Sequence, residues 1–360
     1  MDARSTALRT ILKEERLDAL ILTKRENQRY LEGFTGGDCF LVVSDSLSGL
    51  VADGRYTEMG ERECRTAKIF PHRAPHPPFG EVIAAIARDN GFSRVGFEKD
   101  HMTWGQHEAI EAEMKKFGAE LVPTSGLVER IRSRKTPEEA ALLASACRIA
   151  DRALKDVLPC IKPGVSELDV QTELEYKLRT GGADGFAFET MVLFGSRSSQ
   201  PHATPRGDVR LREGEFVLID YGAAKEGYRS DTTRTFVCGK ASDEQKAAYR
   251  TVLTSQLAAL AMVAPGANGR EINKAALDII EGAGIPSFTY GIGHGVGLEI
   301  HEEPFLRQNR DVILEPDMTV TIEPGTYRPG WGGIRIEDTV LVTGDGHRVL
   351  TEFGKELMEL

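Results

Sequence analysis

The sequence predicts an α/β (α+β) protein of two domains, and two patterns along its 360 residues support this. Over residues 1–125, short apolar strands alternate with amphipathic helices, which is typical of an α/β domain. Over residues 137–360, one series of elements occurs twice: two helices, a His-x-x-Pro motif, and two strands that each carry an acid. Because this unit is long and occurs only twice, it indicates a duplicated domain half rather than a solenoid.

The first domain is predicted from its local hydrophobic patterns. Its helices are expected over residues 1–17, 53–63, 79–90 and 103–117. Its strands are expected over residues 19–22, 40–43, 48–51 and 95–97. The histidines of this domain are scattered, so the sequence predicts no catalytic site there.

Residues 126–136 are predicted as the linker, because this segment is basic and only weakly periodic. A long amphipathic helix then begins at Pro137, since proline at the first helical position followed by two glutamates is a strong helix start. After Pro163, Ser166 caps a second helix that extends to about Arg179.

The two halves of the second domain correspond residue by residue at several points. The matching pairs are Pro163 and Pro265, His202 and His301, and Asp231 and Glu337. Two related halves that face each other would place both acidic hairpins in one sheet. Helices would cover the outside of this sheet, and the acids and histidines would line the cleft between the halves.

Residues 216–237 are predicted as a β-hairpin, with Asp220 on the first strand and Asp231 on the second. A single acid on a strand is usually part of a surface ion pair. Here each acid belongs to an apolar, β-branched run. A buried carboxylate needs a partner, and a cation is the most direct one.

The hairpin pattern recurs with glutamates: strand 319–322 leads to Glu323, and strand 334–336 leads to Glu337. Together with His294, the four carboxylates suit two divalent cations. Mn²⁺ is favoured, and Co²⁺, Fe²⁺ and Zn²⁺ are the alternatives. A bridging hydroxide would then be a nucleophile available at neutral pH.

His294 lies in the glycine-rich segment 291–297, where glycine allows the backbone to approach the site closely. A nucleotide-binding loop of the GxGxxG kind is the competing interpretation, but no βαβ unit starts there. Taken singly, His202 and His301 would more often be ordinary hydrogen-bonded residues. Their repeat relation favours contacts to a substrate carbonyl or to a tetrahedral oxyanion.

Composition restricts the partners and the compartment. The net charge of −10 and the pI of about 5.5 argue against nucleic acid or an anionic membrane as a partner. Five cysteines without a CxxC pair indicate a reducing cytoplasm rather than a disulfide framework. The first residues lack the apolar run of a signal peptide, and no stretch reaches membrane-spanning length.

Four motifs resemble those of the pita-bread metallopeptidases (family M24), in particular its Xaa-Pro dipeptidases (prolidases) and Xaa-Pro aminopeptidases. They are LIDYGAAKEGYRSDTTRTF, GIGHGVGLEIHEEP, TVTIEPGTY and GGIRIEDT. Residues 1–125 resemble the creatinase-type N-terminal domain of that branch. The resemblance implies a pita-bread catalytic domain with an internal pseudo-twofold repeat over residues 137–360. Creatinases share the fold but lack these ligands, which disfavours creatine hydrolysis.

The resemblance implies a role for each predicted ligand. Asp220 would bind one metal ion, and His294 and Glu323 would bind the other. Asp231 and Glu337 would bridge both ions. Glu323 would also act as the general base that accepts the proton of the attacking water.

Further residues are implied to contact the substrate. His202 would stabilise the intermediate or guide the leaving nitrogen, and His301 would contact the carbonyl oxygen of the residue before proline. Arg335 would support the site. The other implied substrate residues are Phe188 and Tyr327 beside the proline ring, and Arg310, or its rival Arg307, at the terminal carboxylate.

The implied function is dinuclear-metal-dependent hydrolysis of the Xaa-Pro bond at the N-terminus of peptides. One alternative is a dipeptidase restricted to Xaa-Pro dipeptides, and another is a non-catalytic peptide-binding module of the same fold. Loss of metal ligands would mark the module, and no ligand position is lost here. The resemblance also implies a homodimer that needs residues 1–125.

Overall fold

The computed structural model describes residues 3–287 and 291–360 of the chain. The chain divides into two compact units, the first ending at Arg132 and the second beginning at Ser133. Within the described ranges, no helix combines the length and the apolar character that crossing a membrane requires.

The first unit contains a six-stranded mixed sheet. Its strands are β1 (Ala19–Leu22), β2 (Phe40–Ser44), β3 (Ser48–Ala52), β4 (Lys68–Pro71), β5 (Arg94–Glu98) and β6 (Glu120–Thr124). They lie in the order β4-β3-β2-β1-β5-β6, with β2 antiparallel to both β1 and β3 and the other pairs parallel. The predicted pairing of strands 40–43 and 48–51 is therefore confirmed.

The described helices of the first unit are α1 (Ala3–Glu14), α2 (Arg25–Glu32), α3 (Thr57–Glu63), α4 (Phe79–Asp89), α5 (Trp104–Met114) and α6 (Leu127–Arg132). Ile83 of α4 and Ile110 of α5 pack with Ile21, Val42 and Val95 of the sheet in one apolar core.

Residues 126–136, the segment predicted as a linker, contain α6, and the boundary between the two units falls within this segment. The buried residues of α6, Val128 and Arg132, lie four positions apart, and one of them is basic, which is why the apolar period is weak in the sequence. The predicted helix over residues 1–17 begins with residues 1 and 2, which lie outside the described part of the chain.

The helices of the second unit form two successive pairs, as the repeat predicts. They are α7 (Pro137–Val157), α8 (Glu167–Thr180), α9 (Asp243–Ala261) and α10 (Gly269–Gly282). Three of them begin with capping boxes, in which the side chains of the first and fourth residues each accept a hydrogen bond from the other's backbone N–H; Thr136 with Glu139 and Ser166 with Asp169 are examples.

The strands of the second unit are short and form several sheets. They are β7 (Gly185–Phe186), β8 (Met191–Phe194), β9 (Phe216–Tyr221), β10 (Ala223–Lys225), β11 (Tyr228–Arg229), β12 (Thr232–Val237), β13 (Gly293–Gly295), β14 (Glu302–Leu306), β15 (Thr319–Ile322), β16 (Gly325–Arg328), β17 (Gly332–Arg335), β18 (Asp338–Val342) and β19 (His347–Val349). The described sheets have the orders β11-β10-β7, β12-β9-β8, β14-β13-β15-β18-β19 and β16-β17.

The first acidic hairpin forms as predicted, since β9 pairs with β12 along its whole length. The second differs from the prediction: β15 pairs with β18, whereas β17 pairs with β16. Pro324 explains this break, because proline has no N–H to continue the ladder beyond β15. The hairpin is therefore nested, and its inner pair of strands forms a separate two-stranded sheet.

The expectation that both hairpins share one sheet is also wrong, since β9 and β12 belong to a different sheet from β15 and β18. The two hairpins meet through a few specific hydrogen bonds rather than a regular ladder. The N–H of Glu337 donates to the carbonyl of Thr233 (3.2 Å), and the N–H of Arg335 donates to the hydroxyl of Thr235 (3.1 Å). In the second of these bonds, the side chain of Thr235 takes the place that a continuous sheet would give to a backbone carbonyl.

Candidate metal centre

All five predicted ligands are at or near the ends of short strands and line one cavity of about 300 Å³. Asp220 lies on β9, and Asp231 directly precedes β12. Glu323 directly follows β15, Glu337 directly precedes β18, and His294 is the central residue of β13. Because β15 pairs with both β13 and β18, His294, Glu323 and Glu337 lie close together in one sheet.

Distances within this group are those of a compact polar cluster. The Nε2 atom of His294 lies 3.2 Å from Oε1 of Glu323 and 3.5 Å from Oδ2 of Asp231. One ligand atom from each of Asp231, His294 and Glu337 lies within 4.8 Å of the other two. The separations are short enough for these residues to share a cation.

Two features orient the imidazole of His294. Its Nδ1 lies 3.0 Å from the carbonyl oxygen of Gly295, so Nδ1 carries the donated proton and Nε2 faces the carboxylates. Its backbone N–H donates to the hydroxyl of Thr321 (3.1 Å). A Cβ atom on Gly293 or Gly295 would lie 2.0 or 2.2 Å from a neighbouring carbonyl oxygen, so only glycine fits beside this histidine.

Threonine hydroxyls hold two of the glutamates. Thr233 donates to Oε2 of Glu337 (2.6 Å), and Thr321 donates to Oε1 of Glu323 (3.0 Å). Sequence reasoning missed both threonines. The signal that could have found them is spacing, because Thr233 follows Asp231 by two positions and Thr321 precedes Glu323 by two, which places each pair on one face of a strand.

Arg335 joins three polar groups of the cavity wall. Its guanidinium donates to Oδ2 of Asp220 (2.5 Å), to the hydroxyl of Thr233 (2.9 Å) and to the hydroxyl of Tyr327 (2.6 Å). The planar fork of arginine suits three simultaneous contacts. Every nitrogen of this guanidinium is therefore engaged with the site itself.

A second arginine, Arg234, lies fully buried behind the ligands. It donates to the carboxylate of Asp338 (2.8 Å) and to the backbone carbonyls of Thr233 (3.0 Å) and Glu337. It also donates to the carbonyls of residues 353 (2.7 Å) and 354 (3.1 Å). Arg234 therefore ties β12 to the backbone of the ligand Glu337.

The cavity carries more negative charge than the chain can balance. Burial, followed by mutual repulsion among the carboxylates, raises the pKa of Asp231 and Glu337 well above the usual range. Burial also raises the pKa of Asp220. For Glu323, burial acts in the same direction, but the hydrogen bond and charge of His294 outweigh it and lower the pKa.

This charge and one unsatisfied atom fit divalent cations. Among the described residues that line the cavity, Arg335 is the only lysine or arginine. The Oδ1 atom of Asp220 is buried without a hydrogen-bond partner in the described chain. Four carboxylates and one imidazole form a hard donor set without sulfur, which suits Mn²⁺ and similar ions better than a structural zinc.

Two further histidines from separate halves of the unit reach the same cavity. The ring of His301 lies 4.3 Å from that of His294, at an angle of 72° between the ring planes. His202 also lines the cavity. Partial burial, followed by the nearby His294, lowers the pKa of His301 to about 4.

Among the predicted substrate residues, the structure brings Phe188, Tyr327 and Arg335 to the cavity. Arg310 is not among the lining residues, because its guanidinium forms an ion pair with Glu303 instead (2.5 Å). The guanidinium of Arg307 lies 4.2 Å from the centre of the Phe305 ring. Several further lining residues were not predicted as site residues: Glu189, Thr190, Met191, Pro201, Thr204 and Ile300.

Comparisons with known proteins agree with this architecture. Residues 141–344 match metallopeptidase family M24, and residues 4–134 match the creatinase/prolidase N-terminal domain. A protein of Pyrococcus horikoshii named Xaa-Pro dipeptidase is 32% identical, over 99% of this chain and 100% of its own length.

Two solved structures are similar over nearly the whole chain. The Xaa-Pro dipeptidase from Bacillus anthracis has a TM-score of 0.94 and 38% identity, with 99% of each chain covered. The X-Pro aminopeptidase from Thermotoga maritima has a TM-score of 0.91 and 28% identity, again with 99% of each chain covered.

Proposed function

This chain belongs to metallopeptidase family M24, and from that premise we propose that it hydrolyses the Xaa-Pro bond at the N-terminus of peptides. The observation that carries the proposal is the convergence of four carboxylates and three histidines on one cavity. The similar proteins named Xaa-Pro dipeptidase and X-Pro aminopeptidase support the choice of bond.

Asp220, Asp231, His294, Glu323 and Glu337 would hold two divalent cations, of which Mn²⁺ is the favoured kind. Bound cations of this type activate water at neutral pH and polarise a carbonyl oxygen. The raised pKa values of Asp231 and Glu337 support this assignment, since the cluster is short of positive charge.

The remaining steps belong to the side chains of this chain. Glu323, whose pKa is lowered, is ionised at neutral pH and would accept the proton of the attacking water. His301 has a lowered pKa and would donate a hydrogen bond to the substrate carbonyl as a neutral imidazole. His202 would contact the leaving nitrogen or the tetrahedral intermediate.

An Xaa-Pro bond is a tertiary amide without an N–H, so a peptidase that grips this N–H cannot hold it. The cavity offers apolar walls instead. The rings of Phe188 and Tyr327 both line it, and they would enclose the proline ring. Arg335, which holds Tyr327 by a 2.6 Å hydrogen bond, would fix one of these walls.

The basic residues of the cavity lining favour peptides that continue beyond the proline, because they are too few to bind a terminal carboxylate. A free Xaa-Pro dipeptide would bring its carboxylate into the cavity, where an unpaired charge is costly. Within the described lining, Arg335 is the only lysine or arginine, and its guanidinium already has three partners. Glu189 adds a further negative charge at the exposed rim.

A dipeptidase restricted to Xaa-Pro is the second candidate, and the names of the Pyrococcus and Bacillus relatives favour it. The deciding experiment compares Leu-Pro, Leu-Pro-amide and Leu-Pro-Gly after reconstitution with Mn²⁺, Co²⁺ or Zn²⁺. Faster cleavage of the amide and the tripeptide supports the aminopeptidase, whereas faster cleavage of Leu-Pro supports the dipeptidase. Binding of all three without turnover would contradict both and identify a peptide-binding module.

A cytoplasmic homodimer completes the proposal. All five cysteines lie in the described residues and carry no disulfide, which agrees with a reducing compartment. The dimer rests on the resemblance of residues 1–125 to a creatinase-type domain. Light scattering at micromolar concentration tests it, and a monodisperse monomer would contradict it.

A further inference from the structure

Arg229, the last residue of β11, contacts two segments that line the cavity from distant parts of the sequence. The first segment, residues 187–190, lies between β7 and β8 and supplies Phe188 and Glu189. The second segment, residues 296–301, lies between β13 and β14 and supplies Ile300 and His301. The strands flanking these segments belong to different sheets, so no shared ladder aligns them.

The contacts of Arg229 reach both segments at once. Its Nη1 donates to the carbonyl of Ala187, and its Nε donates to the carbonyl of Leu298 (3.1 Å). Its backbone N–H also donates to the carbonyl of Gly297 (2.8 Å). Ala187 and Leu298 are both buried, so these carbonyls have little access to water.

We propose that Arg229 is a positioning residue that sets the spacing between Phe188 and His301 across the substrate cavity. The bonded carbonyl on one side belongs to the residue directly before Phe188. The bonded carbonyls on the other side belong to residues three and four positions before His301. A guanidinium can donate in two directions from a rigid plane, whereas the single amine of lysine cannot span both acceptors in this way.

This inference rests on the proposed function, because it assigns His301 a contact to the substrate. A misplacement of about 1 Å in a catalytic group costs roughly 10²-fold in rate. We therefore expect Arg229→Met to lower kcat by about 10- to 100-fold, with bound metal unchanged. Arg229→Lys should restore little of the loss, since it replaces only one of the two side-chain contacts.

A double-mutant cycle separates positioning from general damage to the fold. In a His301→Ala background, Arg229→Met should lower kcat by less than about threefold, because the group that it positions is gone. Full additivity of the two losses would overturn the proposal. Loss of metal in Arg229→Met would also overturn it, because the effect would then pass through Asp231, two residues away.

Hydrogen exchange gives a readout that needs neither substrate nor metal. Peptides covering residues 187–190 and 296–301 should exchange faster in Arg229→Met than in the wild type. Lys225→Met is the matched control, since Lys225 lies on the paired strand β10 and contacts Gly182 and Asp184 instead. Equal exchange in all three proteins would overturn the proposal, and a wild type without turnover would refute only the proposed function.

Discussion

Replacing Arg234 with methionine should weaken the junction between the two acidic hairpins. The guanidinium is buried, with 1% of its side chain exposed, and it pairs with Asp338, which is buried to the same extent. Removing one partner of a buried ion pair typically costs about 3–5 kcal/mol, because the other charge stays buried.

The structure refines this magnitude. Asp338 would keep hydrogen bonds from Lys355 (2.7 Å), Thr351 (2.7 Å) and Gln256 (2.8 Å), which lowers the cost of losing Arg234. Several backbone carbonyls, however, would lose their donor, and each buried one costs about 1–3 kcal/mol, with incomplete additivity. We therefore expect a loss of about 3–5 kcal/mol in the free energy of unfolding of the second unit.

The assay follows the second unit by tryptophan fluorescence. The chain has two tryptophans, so a Trp104→Phe background leaves Trp331 as the reporter. The centre of its ring lies 4.8 Å from that of Phe216. Urea unfolding in the presence of a chelator gives the free energy without a metal contribution. A titration with Mn²⁺ should also show about 10- to 100-fold weaker binding, because Arg234 holds the backbone of Glu337.

The matched control is Arg206→Met. Arg206 pairs with Asp208 (2.5 Å), but their side chains are 56% and 68% exposed, so the loss should stay within about 0.5 kcal/mol. An unfolding free energy of Arg234→Met within about 1 kcal/mol of the control would refute the idea that this arginine holds the hairpins together.

Three further predictions concern the ligands, the histidines and the first unit. Asp231→Ala or Glu337→Ala should abolish both metal binding and turnover, and wild-type metal content by mass spectrometry would contradict the dinuclear assignment. His202→Ala or His301→Ala should keep the metal and lower kcat by about 10²–10³-fold in steady-state kinetics; metal loss would make that histidine a ligand. The hydrogen bond from Arg55, followed by its charge and that of Arg73, lowers the pKa of Asp53 from 3.8 to about 2. The ionised Asp53 therefore stabilises the first unit above the pKa of the unfolded state, and this stabilisation is lost as the pH falls through the pKa of the folded state. In Asp53→Asn, the free energy of urea unfolding of the first unit should change less between about pH 5 and about pH 3 than it does in the wild type. An equal change in both proteins would exclude Asp53 as the cause.

The parts of the second unit that follow local rules were predictable from the sequence. The capped starts of α7 and α8 and the pairing of β9 with β12 depend on neighbouring residues alone. The acids stand out in the sequence because a carboxylate within an apolar strand is costly to bury unless it has a partner. These local signals led to the five candidate ligands, all of which line the cavity.

The parts that depend on distant contacts were not predictable in this way. Nothing near Thr233 in the sequence shows that its hydroxyl reaches Glu337, more than a hundred residues later. β15 pairs with β18 across the inner hairpin of β16 and β17. The hydrophobic pattern of a strand does not show which other strand it pairs with. Arg310 was assigned by its distance from a motif, but an ion pair with Glu303 directs its side chain elsewhere.

The support that Arg234 receives from residues 353 and 354 has a consequence for biosynthesis. A ribosome makes Asp220 and Asp231 long before Glu323 and Glu337, and the carbonyls that anchor Arg234 come later still. Until the second half of the unit has been translated, the first half therefore carries two acids in apolar strands without the residues that complete the site. A cation that needs all five candidate ligands could therefore bind only late in the maturation of this chain.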